Sequence, residues 1–182
     1  MMQPPATRPP ENIAADAAIQ RVAWLANGLE RGGSGDHELR LLVPYSGSVT
    51  ADAGLEMAAD WTRALGAEVW VLYVRVWDPM PGGGRFYIEL PFEARCVAQK
   101  AVAYLRRRGV AASGIVRDAY RQHVADAIVA QAETLDVAYI VVGTRARRAL
   151  TATLLGSTSL EVARRATRPV LMVNLPRRRR FR

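Results

Sequence analysis

The sequence predicts a single α/β domain, a parallel sheet with helices packed on both faces. Three observations predict it. From residue 39 to residue 174, apolar runs of strand length alternate with segments of helix length that carry one apolar stripe. The chain has 182 residues, the size of one such domain with short additions at its ends. Half of the residues are hydrophobic and 23% are charged, which supports a buried core and excludes a wholly disordered chain. No internal repeat is visible.

The elements follow in order. Residues 1–10 hold four prolines and read as a disordered lead. Asn12–Arg31 reads as a helix, because Ala15, Ala18, Ile19, Val22, Leu25, Ala26 and Leu29 recur at spacings of three and four. Gly32, Gly33 and Gly35 stop it. Leu39–Tyr45 is the first strand. Thr50–Leu65 is a helix with Leu55, Ala58, Ala59 and Thr62 on one face. Ala67–Val76 is the second strand. Trp77–Pro91, rich in Pro and Gly, reads as a long surface loop with Arg85, Phe86 and Tyr87 at its tip. Glu93–Arg108 is a helix ended by Gly109, and Val110–Val116 is the third strand. Gln122–Leu135 is a helix and Val137–Val142 the fourth strand. Gly156–Ala166 is the last helix and Pro169–Asn174 the fifth strand. The fifth strand is apolar on both faces, so its free edge is expected to pair with a second copy. The domain boundaries are 1–38 for the N-terminal extension, 39–176 for the α/β domain and 177–182 for a basic tail.

Charge and cysteine usage narrow the function classes. The net charge is +8, but Arg177–Arg180 and Arg182 supply five of those charges and residues 1–38 are net acidic. The remaining basic residues are scattered and, apart from Lys100, are all Arg, so nucleic-acid binding is not expected. No apolar run approaches the ~20 residues of a membrane span, and the start lacks the apolar region of a secretory signal. A cytoplasmic location is expected. A lone Cys96 excludes an internal disulfide, and two separated histidines, His37 and His123, are too few for a zinc cluster. Cys96 reads as a small packing residue and His123, beside Asp126, as a surface or capping one. Trp61 and Trp70 read as core or half-core residues. No nucleophile–base–acid set and no GxxxxGK[ST] loop is present, so catalysis is not expected beyond weak ATP hydrolysis.

In a parallel sheet, ligands bind beyond the carboxyl ends of the strands where the strand order reverses. Two segments fall there. One is Tyr45-Ser46-Gly47-Ser48, after the first strand. The other runs from Gly143 to Thr158, after the fourth. Gly143 would let the backbone approach a ligand closely, and Gly156 permits a tight turn into the last helix. Ser157 or Thr158 can cap that helix, whose free N–H groups and dipole suit an anion. Arg145, Arg147 and Arg148 could add charge-assisted bonds to phosphate.

This spacing, G-x2-A-x9-G-S in GTRARRALTATLLGST, resembles the G-x2-G-x9-G-[ST] pattern of the universal stress protein family. LLVPYSGS, ALGAEVWVLYV, AYIVVGTRAR and GSTSLEVARRATRPVLMV support the resemblance in the right order over about residues 39–175. It implies a single Rossmann/flavodoxin-like domain with a five-stranded parallel sheet in the order 3-2-1-4-5. It also implies a homodimer and an adenine nucleotide in the cleft, ATP first among them, with Mg²⁺ if the nucleotide brings it. The cofactor-binding positions carried over are Ser46, Gly47, Val74, Gly143, Arg145, Ala146, Gly156, Ser157 and Thr158, with Arg75 beside Val74 at the adenine. Three positions depart from the pattern. Ser46 stands where the nucleotide binders have Asp, Ala146 replaces the second glycine, and Ala138 replaces an Asp before the fourth strand. A second reading is therefore a nucleotide-free interaction module that meets a regulatory partner protein through its N-terminal helix or basic tail.

Overall fold

A computed structural model of the chain describes residues 39–144 and 158–174. The expected N-terminal helix, the basic tail and the segment 145–157 lie outside the described residues. Strand β1 is Arg40–Pro44, β2 Glu68–Pro79, β3 Arg85–Tyr87, β4 Ala112–Tyr120, β5 Tyr139–Thr144 and β6 Val170–Asn174. Helix α1 is Val49–Leu65, α2 Pro91–Arg107, α3 Val124–Thr134 and α4 Thr158–Arg165, with a 3₁₀ turn at Arg121–His123 before α3.

Local chemistry sets the helix ends. Ser48 sits extended before α1 and accepts from the Ala51 N–H at 3.3 Å, a side-chain N-cap. Gly66, in the left-handed region at φ 66°, closes the same helix by donating to the Thr62 carbonyl at 2.8 Å. Pro91 opens α2, and the Glu93 carboxylate accepts the Leu90 N–H at 2.7 Å.

The sheet is mostly parallel, with six strands in the path β3-β2-β1-β5-β6 and β4 also pairing β2. This corrects the expected five-stranded sheet: a sixth strand, β3, pairs β2 and changes the strand count and the full path. The mutually parallel strands run β4-β2-β1-β5-β6; the extra strand is β3. It lies inside the stretch read as a loop. β2 continues past Val76 to Pro79, and Trp77, Asp78 and Pro79 pair antiparallel with Tyr87, Phe86 and Arg85. Met80 N–H donates to the Gly84 carbonyl at 2.9 Å, while Gly82 and Gly83 adopt φ of 91° and 96° to turn the chain. The prolines and glycines that suggested a loop are the turn of a hairpin. β4 also runs further than expected, to Tyr120. Asp118 within it accepts both Arg75 Nε and Nη2, at 2.8 and 2.6 Å, from the neighbouring strand.

Alternation along the strands fills two cores. On one face, Leu41, Val43, Val69 and Val71 pack under α1 and α2, against Leu55, Ala58, Ala59 and Leu105. On the other, Leu42, Leu72, Ile140 and Val142 pack under α3 and α4, against Ile128, Ala132 and Val162. Thus α1 leaves β1 to one face and α4 covers the other. Trp61 is half-buried edge-on to Tyr139, at 5.6 Å between ring centroids, in keeping with a half-core residue. Cys96 is exposed on α2, not packed as the sequence suggested, because the buried stripe of that helix falls on Ala94, Ala98, Ala101, Val102 and Leu105.

Candidate functional site

Helices that diverge to opposite faces from neighbouring strands leave a crevice between them. Here it opens at the carboxyl ends of β1, β2 and β5 as a cleft of about 760 Å³, within the range of small-molecule sites. Its floor is apolar: Leu72, Val74 and Val76 of β2, Val142 of β5 and Ile128 of α3. Its polar lining comes from three places. Ser46, Ser48 and Thr50 stand at the start of α1, and Thr158 and Ser159 at the start of α4. Tyr73, Glu89 and Arg121 stand on the β2 side. Residues at the first turns of α1, α3 and α4 all border the cleft, so the positive ends of three helix dipoles point towards it.

The hydroxyls at α1 bond to one another. Ser46 Oγ lies 3.0 Å from Ser48 Oγ, which lies 2.9 Å from Thr50 Oγ1. Tyr45 donates its hydroxyl to Asp52 Oδ1 at 2.8 Å. Burial first, and then this bond to a carboxylate, pushes the Tyr45 phenol up to about 12. Tyr73 donates to Glu89 Oε2 at 2.5 Å and is raised for the same two reasons. Arg121 donates from Nε and Nη2 to Asp78, at 2.9 and 2.5 Å.

The site residues expected from sequence divide as follows. Ser46, Val74, Gly143 and Thr158 line the cleft together. Gly47 does not line it; at φ 72° it turns the chain from β1 towards α1. Arg75 is on the opposite pleat from Val74, paired with Asp118 and stacked 4.0 Å from the Tyr87 ring centroid. Arg145, Ala146, Gly156 and Ser157 lie outside the described residues. Gly143 is required for a reason other than ligand approach. A Cβ there would overlap the carbonyl carbon and oxygen of Thr50, so the glycine lets α1 lie against β5. Ser159 Oγ donates to the Gly143 carbonyl at 2.8 Å, tying α4 to the same residue.

The sequence reading missed Tyr73, Glu89 and Arg121. Tyr73 and Glu89 are joined only through the β2–β3 hairpin, and a three-residue strand leaves little periodic signal. His123 is exposed and bonds Asp126 at 2.9 Å, as a surface residue would. Among the described residues no three His, Cys, Asp or Glu gather to hold a metal. No described helix is long and apolar enough to cross a membrane.

The model of the family described as "Universal stress protein family" matches residues 39–174. Among solved structures, a universal stress protein from Archaeoglobus fulgidus is similar at 27% identity and TM-score 0.59, over 74% of this chain and 93% of that one. A universal stress protein family member from Burkholderia pseudomallei is 26% identical at TM-score 0.58, over 76% of this chain and 98% of that one. An Archaeoglobus fulgidus universal stress protein in complex with dAMP is 26% identical at TM-score 0.55, over 75% of this chain and 96% of that one. No curated protein matches the sequence.

Proposed function

The chain belongs to the universal stress protein family, and from that membership we propose that it is a regulatory protein that binds an adenine nucleotide in the cleft between β1 and β5. One observation carries the reading. The cleft joins an apolar floor that suits a base to a rim of helix N-termini that suits phosphate. The dAMP complex of the Archaeoglobus relative supports the same ligand class. The base lies against Val74 on the β2 side. The phosphates lie towards Thr158, and Arg145, Ala146, Gly156 and Ser157 are the sequence positions that the family pattern assigns to that end. Ser46 contributes a hydroxyl where the family's nucleotide binders place a carboxylate. Glu89 is the carboxylate lining the cleft among the described residues, and it stands on the β2 side, away from Thr158. Mg²⁺ would therefore arrive on the phosphates and not on a protein carboxylate set. Occupancy is reported through a homodimer along β6, whose Met172 is 38% exposed.

The test begins with protein purified without added nucleotide. It is denatured, the released small molecules are identified by mass spectrometry, and ATP, AMP and cyclic AMP are then titrated by calorimetry. A co-purifying adenine nucleotide or micromolar binding, lost in Gly156→Arg, is the expected result. An empty protein with no heat at millimolar ligand would overturn the reading and favour the interaction module.

A further inference from the structure

The nucleoside end of the cleft has a polarity of its own. Tyr73 ends the buried part of β2, on the pleat opposite Val74 and packed with Ala94 and Ala98 of α2, and Glu89 follows β3; both line the cleft. The β2–β3 hairpin brings them together, sixteen positions apart, with the phenol as donor to Glu89 Oε2 at 2.5 Å. That bond uses the one proton the phenol has. The Tyr73 oxygen can then only accept, and an ionised carboxylate has no donor either. Raised by burial and by the carboxylate, the phenol keeps its proton at neutral pH. Among the described residues Glu89 has no ion-pair partner. Arg121, the nearby lining cation, already donates twice to Asp78. β1 separates β2, which carries Tyr73, from β5, whose Gly143 accepts from Ser159 beside Thr158, so the pair lies on the β2 side of the cleft and Thr158 on the β5 side.

We propose that Tyr73 and Glu89 form an acceptor-only patch that selects a ligand presenting an N–H or O–H donor at its nucleoside end. The inference rests on the nucleotide reading above. Two groups of an adenine nucleotide carry that chemistry, the exocyclic amine of the base and the ribose hydroxyls. A base with an oxo group in place of the amine would set oxygen against oxygen. A buried acceptor left without a donor loses most of what its bond contributes, so discrimination of about tenfold or more follows.

The test compares full-length wild type with Glu89→Gln by calorimetry, using AMP, IMP, 2′-deoxy-AMP and 3′-deoxy-AMP. The glutamine carbonyl can still accept from Tyr73, and equal thermal melting confirms that the hairpin is kept. If the amine is the donor, IMP binds wild type at least about tenfold more weakly than AMP, and Glu89→Gln brings the two within about threefold. If a ribose hydroxyl is the donor, one deoxy nucleotide shows that pattern and IMP does not. Wild type that binds all four ligands alike overturns the inference whatever the variant does. So does an AMP affinity and ligand ratio unchanged in Glu89→Gln. Both results leave the nucleotide reading standing. Wild type that binds none of the four overturns that reading, and this inference with it.

Discussion

Gly143→Ala is the most direct perturbation of the site's framework. The new methyl would overlap the Thr50 carbonyl carbon and oxygen and stand 3.1 Å from the Ala51 nitrogen. These are backbone atoms in the first turn of a helix, so no side-chain rotation relieves the clash. On the other side, a Cβ added at Gly54 would lie 3.0 Å from the Gly143 nitrogen, so the two glycines share one close approach. Overpacking by one carbon ordinarily costs about 1–3 kcal/mol, and a backbone clash belongs at or above the top of that range. At about 2–4 °C per kcal/mol for a domain of this size, the melting temperature falls by about 6–12 °C. Urea unfolding followed by circular dichroism measures the free energy, and an unchanged slope shows that the comparison is fair. Gly66→Ala is the control. Gly66 has φ 66° but nothing within 4 Å of an added Cβ, so it should cost only the left-handed penalty of about 1–2 kcal/mol. A Gly143→Ala protein within about 0.5 kcal/mol of wild type, or no worse than Gly66→Ala, would refute the close-packing argument.

Three further outcomes are expected. Ser48→Ala removes the cap of α1 and should cost about 1 kcal/mol in urea unfolding, with an unchanged midpoint counting against the cap. Ser46→Asp should tighten AMP binding by about tenfold, the worth of one charge-assisted bond, and calorimetry showing equal or weaker binding would argue against Ser46 facing the nucleoside. The Arg75 guanidinium, followed by the Tyr87 hydroxyl, holds the Asp118 carboxyl below its usual range despite partial burial. A depressed folded pKa gives stability that is present above the unfolded value near 4 and is lost as pH falls through the folded one. The stability advantage of wild type over Asp118→Asn should therefore shrink on acidification below about pH 4. A difference that stays constant with pH in urea titrations would exclude the pair as its source.

Much of the fold could be read from the sequence because most elements obey one period. Leu55, Ala58, Ala59 and Thr62 repeat at helical spacing and are all buried. The apolar runs of β1, β5 and the first half of β2 mark strands covered on both faces, while β6 leaves Met172 exposed. β3 escaped because its three residues are too few to show alternation, and Pro79, Pro81 and Gly82–Gly84 dominate that stretch. The end of β4 escaped because Arg117 and Asp118 look like loop residues until Arg75 is placed opposite Asp118. At the site, the sequence pointed to Ser46, Val74, Gly143 and Thr158, which do meet. It could not reveal that Gly143 accommodates Thr50, since that contact joins residues 93 positions apart. Nor could it pair Tyr73 with Glu89, which depends on the hairpin register.

The central place of β1 also bears on how the protein is made. Its Leu41 pairs with Val69 on one side, 28 positions later, and with Tyr139 on the other, 98 positions later. A ribosome adding about 5–20 residues per second needs roughly 5–20 s to supply that second neighbour. Throughout the interval Leu41, Leu42 and Val43 carry a bare hydrogen-bonding edge, which is the kind of strand that pairs with other chains. A nascent polypeptide stalled before Tyr139 is thus a natural client for a chaperone, and the speed of translation sets how long it stays one.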